Sequence, residues 1–253
     1  MSSDLNVGEK KGLHFVSLGC PKNQVDSEIM LADLLRRGFE VVDDPASAHT
    51  IVVNTCGFIE EAKKESIDKV IEMGRLKSDG QLKKLVVAGC LAQRYKETLA
   101  DELPEADVVI GSGEFQNLGN ILDKHKEGNQ YRGQFYLPTF LQQDSTVRVN
   151  SEPFYRAYLK ISEGCKKRCA FCAIPVIRGD LQSRTIKSLV SEAKLLVAGG
   201  VRELNVISHD FTDYGDDLRK QNADAKESPL ELLRALSQVP GLDWIRVLYL
   251  YPD

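Results

Sequence analysis

The sequence predicts an α/β fold, with an amino-terminal open parallel sheet flanked by helices and then a second βαβαβ series. Two observations carry this. Short apolar runs of strand length alternate with stretches of helical period, and one polar, unpatterned stretch divides the alternation in two. At 253 residues and 42% hydrophobic, the chain can bury a sizeable core, enough for one or two domains.

Taken in order, residues 14–18, 50–53, 84–88 and 107–110 read as buried parallel strands. Helical patterns at 25–37, 60–76, 95–102 and 115–126 fall between and after them. A polar segment at 127–152, with Gly128, Gly133 and Pro138, shows no sustained period and reads as a linker. The second series comprises a strand at 156–161, a helix at 186–198, a strand at 202–207, a helix at 229–239 and a strand at 244–248. A charged stretch at 213–226 reads as a surface loop. The expected organisation is therefore a domain at 12–126, a linker at 127–152 and a second domain at 153–253.

Composition narrows the function classes. A net charge of −4 argues against gripping nucleic acid through bulk electrostatics. Lys166, Lys167 and Arg168 form a local basic cluster that reads equally well as a solvated loop. No run of about 18 apolar residues exists, and the leader is polar, so neither a membrane span nor a signal peptide is expected. That reading places the chain in the cytoplasm, where thiols stay reduced and six cysteines point to metal rather than disulfides.

Cys20, Cys56 and Cys90 each stand where a predicted strand hands over to its helix. In open α/β sheets ligands bind outside the carboxyl ends of the strands, so these thiols should converge. Gly19, Gly57 and Gly89 flank them and permit tight turns. A single such cysteine is more often a small core hydrophobe, but three at equivalent positions form a candidate site. Soft thiolates suit zinc or an iron–sulfur cluster. Zinc normally takes a fourth protein ligand, and His14, His49, His125 and His209 occupy no matching strand end of the first domain. A 4Fe-4S cluster with one open iron fits better.

The remaining cysteines lie in one CxxxCxxC loop, Cys165, Cys169 and Cys172, just beyond the strand at 156–161. Three thiolates in so compact a loop suit three irons of a cube better than the paired elements of a zinc site.

This loop, with Phe171 just before its third cysteine, resembles the signature of radical S-adenosylmethionine (SAM) enzymes. The wider sequence resembles the methylthiotransferases of that superfamily. SLGCPKNQVDSE (17–28), VNTCGFI (53–59) and AGCLAQRY (88–95) are similar to motifs of their amino-terminal domain, and ISEGCKKRCAFCAIPVIRG (161–179) followed by Ser183-Arg184 to the start of their catalytic barrel. The resemblance implies two 4Fe-4S clusters, one on Cys20, Cys56 and Cys90 and one on Cys165, Cys169 and Cys172. Bound SAM would lie on the open iron of the second cluster, with Phe171 near its adenine and Arg178 and Arg184 as candidate SAM contacts. It also implies a second domain built as the first half of a radical SAM (βα) partial barrel.

The implied mechanism is reductive cleavage of SAM to a 5′-deoxyadenosyl radical, which removes hydrogen from an unactivated carbon, while the other cluster supplies sulfur for a methylthio group. Side-chain bases cannot ionise such a carbon–hydrogen bond, so the cofactor carries the hard chemistry. AIPVIRG after the last cysteine is similar to the protein-modifying branch, which acts on the β-carbon of an aspartate of ribosomal protein S-twelve. A tRNA adenosine methylthiotransferase and a non-catalytic metal-binding fragment are the alternatives. The partners implied are S-twelve and a low-potential electron donor, with no membrane and no strong nucleic-acid binding. Two departures stand out. ISHDF at 207–211 replaces the Gln and Thr expected beside the Asp, and only three barrel strands can be counted where the family has about six, as in a truncated chain.

Overall fold

The structure, a computed structural model, describes residues 11–79, 82–126, 128–138 and 147–251. In chain order its first part is β1 (Lys11–Ser17), α1 (Pro21–Arg36), β2 (Phe39–Val41), β3 (Thr50–Thr55), α2 (Glu60–Arg75), β4 (Lys84–Gly89), α3 (Cys90–Glu102), β5 (Val108–Gly111), α4 (Leu118–Lys124) and β6 (Tyr131–Arg132). The strands form one parallel sheet in the order β2-β1-β3-β4-β5-β6. Every residue of β3 is buried, as expected of a strand covered on both faces. One core lies under α1 and α4 and includes Val25, Met30, Val52, Val86 and Leu118; the other lies under α2 and α3 and includes Ile51, Val70, Val87 and Leu91.

The second part runs β7 (Arg156–Lys160), β8 (Ser162–Glu163), α5 (Ile174–Arg178), β9 (Gln182–Ser183), α6 (Ile186–Ala198), β10 (Glu203–Ile207), α7 (Asp216–Gln221), α8 (Pro229–Ser237) and β11 (Trp244–Val247). Its parallel sheet has the order β11-β10-β7, and β8 and β9 form a separate antiparallel pair. Leu159, Leu204, Val206, Leu232 and Leu236 fill the core beneath α6 and α8. Among the described residues no helix is long and apolar enough to cross a membrane.

The elements expected from sequence are present, and the differences have physical causes. Helix α1 starts at Pro21 rather than at residue 25. Pro21 suits the first helical position, and the buried face of the first turns is polar, with Lys22, Asn23 and Asp26, so it carries no apolar period. Helix α3 begins at Cys90 rather than at 95, with a break in helical conformation at Lys96. The pattern at 115–126 divides into a 3₁₀ turn at Phe115–Asn117 and α4. Strands β2 and β6 are too short to show a period, and β6 adds a sixth strand from within the stretch read as linker. The charged stretch at 213–226 contains α7, none of whose residues is buried. Residues 139–146 of the expected linker lie outside the described residues.

The two parts dock through polar groups. Arg148 is buried and reaches Glu28 of α1 and Glu192 of α6, the latter at 2.9 Å. Glu28 also accepts from the Ser151 backbone N–H at 3.0 Å and its hydroxyl at 2.7 Å. Ser112 donates to the Ile177 carbonyl at 2.8 Å, and Ile207 of β10 joins the core under α1 and α4.

Candidate two-triad thiol site

Parallel register brings the first three cysteines to one sheet edge. Ser17 aligns with Asn54, and Thr55 with Gly89, so β1, β3 and β4 end level with one another. Cys20 is the extended residue preceding α1, Cys56 follows β3, and Cys90 opens α3. Gly19 has φ +90, and a Cβ there would stand 2.7 Å from Cys56 Cβ and 2.9 Å from its Sγ. Only glycine lets the Cys20 turn approach Cys56 so closely. Asn23 Nδ2 donates to the Leu18 carbonyl at 2.8 Å and the Thr55 carbonyl at 3.2 Å, stapling the two turns together. Ser66 brackets Cys56 by accepting from its N–H at 2.9 Å and donating to its carbonyl at 3.0 Å.

The second triad sits on a loop beyond β8. Gly164, at φ +66, opens it where a Cβ would lie 2.0 Å from the Asp180 carbonyl oxygen. The Cys165 N–H donates to the Gly179 carbonyl at 3.1 Å, and the Cys172 N–H to the Cys169 carbonyl at 3.0 Å. The basic residues between the cysteines are paired: Lys166 with Asp213 at 2.9 Å and with Asp216, Lys167 with Asp210 at 2.6 Å, and Arg168 with Asp180. Their charge is spent on fixing the loop.

All six cysteines, each a free thiol, line a single cavity of about 760 Å³. A second groove, of about 780 Å³ between α2 and α3, contains no cysteine. Among the described residues no three His, Cys, Asp or Glu side chains are gathered closely enough to hold a single metal ion. A four-iron cube spreads its thiolates farther apart than a lone ion does. Two soft three-sulfur sets on one roomy cavity, one of them approached by the Gly19 turn, fit such clusters.

Phe171 is 87% exposed at the cavity, so it is no core aromatic. Arg178 and Arg184 are both buried rather than in surface ion pairs. Arg178 lines the cavity, but its guanidinium turns to the first triad: Nη1 lies 2.6 Å from Asp26 Oδ2, and Nη2 lies 3.0 Å from Asn23 Oδ1 and 3.2 Å from Cys90 Sγ. Arg184 is not among the lining residues and holds the Lys160 carbonyl, Glu192 and Ser188.

The electrostatics follow from burial and pairing. Burial pushes the Cys90 thiol up to about 11 even against the nearby Arg178, and pushes the Lys22 ammonium down to about 8. Burial would raise the Glu163 carboxyl, but Lys160 and Arg178 outweigh it and hold it at about 2. Burial, with Lys22 close by, lowers His209 to about 3, so its ring is neutral.

Sequence reasoning missed several cavity neighbours. His209, just beyond β10, lines the cavity with its Nδ1 3.1 Å from the Gly164 carbonyl oxygen. Tyr249 and Tyr251 also line it, under the Lys22 and Lys167 ammonium groups at 3.3 and 3.9 Å from the ring centres. Their signal was position: His209 follows a strand end as the cysteines do, and the tyrosines lie just beyond β11.

Both parts of the chain resemble known proteins. Residues 12–111 match the uncharacterized protein family UPF0004, and residues 159–246 the radical SAM superfamily. Across 98% of its length the chain is 62% identical to the ribosomal protein uS12 methylthiotransferase RimO of Bdellovibrio bacteriovorus, covering 54% of that relative. It is 46% identical to the RimO of Geobacter sulfurreducens over 96% of its length, again covering 54% of the relative. The chain thus spans about half the length of the curated relatives it matches. Among solved structures, the radical SAM methyltransferase TsrM of Kitasatospora setae, with cobalamin and a 4Fe-4S cluster bound, superposes with a TM-score of 0.55 at 16% identity. That match covers 94% of this chain and 61% of the other, and it shares the fold. With the two family models matched in order along the chain, and nearly all of its length similar to about half of each RimO relative, the chain is similar to part of the radical SAM methylthiotransferases.

Proposed function

We propose that this chain is the cluster-bearing part of a methylthiotransferase that modifies an aspartate of ribosomal protein S-twelve (uS12). Cys20, Cys56 and Cys90 hold one 4Fe-4S cluster, and Cys165, Cys169 and Cys172 hold the other. Residues 12–126 and 153–253 are the two domains. The observation that carries the reading is the convergence of all six thiols on one cavity. The names of the relatives favour the ribosomal-protein branch over the tRNA branch.

When bound, the clusters and SAM supply radical hydrogen abstraction and a sulfur source, chemistry that no side chain here offers. The chain's own residues do the rest. Gly164 and the ion pairs of Lys166, Lys167 and Arg168 fix the second triad's loop, and Phe171 offers an exposed aromatic face beside it. Neutral His209 holds the Gly164 carbonyl, and Tyr249 and Tyr251 lie on the cavity wall with the Lys22 and Lys167 cations over their rings. The enzyme draws on a low-potential electron donor in the cytoplasm.

The test is anaerobic iron and sulfide analysis with electron paramagnetic resonance on the wild type and two triple variants, Cys20→Ala/Cys56→Ala/Cys90→Ala and Cys165→Ala/Cys169→Ala/Cys172→Ala. About eight irons per chain in the wild type and about four in each variant are expected. Zinc, or an iron content that neither variant changes, overturns the assignment. For the substrate, uS12 from cells lacking the gene should regain its methylthio mass when the full-length gene is returned; gain by tRNA instead overturns that part.

A further inference from the structure

One cluster of buried charge is explained neither by ordinary core packing nor by the thiol triads. Where the domains meet, Asp26 of α1 faces Lys160 of β7 and Arg178 of α5, and Glu163 of β8 faces the same two cations at 3.0 and 3.4 Å. All four side chains are nearly fully buried. Two cations against two carboxylates leave the group neutral, yet burying such pairs gains little stability over apolar packing. Its distinctive feature is one contact. Arg178, from the radical SAM domain, aims Nη2 at the sulfur of Cys90, a residue of the other domain, at 3.2 Å.

A planar guanidinium gripped by Asp26 through Nη1 and by Asn23 through Nη2 has little freedom to turn away from that sulfur. Hydrogen bonds to cluster sulfurs are among the factors that set reduction potential, and a donated charge favours the more negative, reduced state. We infer that Arg178 is a positioning residue that ties the Cys20/Cys56/Cys90 cluster electronically to the docking of the radical SAM domain, raising that cluster's potential when the domains are engaged. The inference rests on the cluster reading above and goes beyond it by giving one domain a hand in the other's redox state.

The experiment is a potentiometric titration followed by electron paramagnetic resonance, in protein carrying Cys165→Ala/Cys169→Ala/Cys172→Ala so that only the first cluster reports. Arg178→Gln should leave the cluster assembled and move its midpoint to a more negative potential. Arg178→Lys keeps the charge opposite Asp26 but lacks the second donor arm, and should shift the midpoint in the same direction by less. If the glutamine variant fails to fold, the lysine variant's shift decides. An unchanged midpoint in the variant that folds, even with a lower cluster yield, overturns the inference, because a merely structural role costs stability without moving the potential. Absence of any cluster on the first triad before Arg178 is touched sinks the cluster reading instead, and this inference with it.

Discussion

The two cysteine triads reach the same cavity by opposite routes. Cys20, Cys56 and Cys90 are 34 to 36 residues apart and meet only because three parallel strands end level. Cys165, Cys169 and Cys172 lie within eight residues and meet through a local loop pinned by ion pairs to Asp180, Asp210 and Asp213. The first triad therefore depends on the whole sheet and on a buried neighbour from the other part of the chain, and the second on loop conformation and on ion pairs that range from the buried Asp210 and Asp213 to the exposed Arg168 and Asp180. Damage to one should leave the other standing wherever the domains stay docked.

The largest effect is expected where docking itself is broken. Arg148→Ala leaves Glu28 and Glu192 without the buried arginine between them and removes the tie between α1 and α6. Glu28 keeps the Ser151 donors and Glu192 keeps Arg184, so the cost is that of the lost charge-assisted hydrogen bonds, each worth about 1.5–3 kcal/mol, to be read from anaerobic urea unfolding. A loss under about 1 kcal/mol would mean that water reaches this pair as it does a surface one.

A paired glycine experiment separates the triads. Gly19→Ala forces a side chain onto a φ of +90 and toward Cys56, while Gly164→Ala forces one onto the Asp180 carbonyl. The backbone conformation alone costs about 1–2 kcal/mol, and the clash adds to it. Each variant should lose about half the iron, the first from the dispersed triad and the second from the loop triad. Loss of both clusters from either single change would show the triads to be mutually dependent.

The same contrast explains what could be read without coordinates. The first sheet was legible because residues 51–53 and 85–88 are unbroken apolar runs, and the triads because each cysteine stands just past such a run or in a short, regular spacing. Asp26, Lys160 and Glu163 were not, because their burial comes from partners up to 152 residues away and leaves no local period. Strands of two and three residues, Tyr131–Arg132 and Phe39–Val41, are likewise defined only by the strand they pair with. Arg178 was read toward SAM because it follows the second triad in sequence; in space it faces the first.

His209 gives a smaller, pH-dependent effect in the second domain. Its folded-state value lies near 3 through burial, against about 6.5 for an unfolded histidine. The unfolded chain thus takes up a proton below pH 6.5 that the folded chain refuses. Its stabilising contribution is full above that pH and declines as pH falls toward 3. Between pH 7 and pH 5 this amounts to about 2 kcal/mol, and His209→Gln should flatten the urea-unfolding profile over that range by this amount. An unchanged slope would mean that the ring is solvated and charges normally.

Phe171 should give the smallest change in stability. At 87% exposure it contributes almost nothing to the core, so Phe171→Ala should alter unfolding by no more than about 0.5 kcal/mol and leave both clusters in place. Aromatic stacking is worth about 0.5–1.5 kcal/mol, so if its face meets the adenine of SAM, affinity for SAM falls by roughly 2- to 10-fold in anaerobic equilibrium dialysis. The two readouts must separate for the assignment to hold. Loss of SAM affinity with intact stability marks Phe171 as a contact of the bound nucleoside, whereas unchanged affinity assigns that exposed ring to another surface of the enzyme.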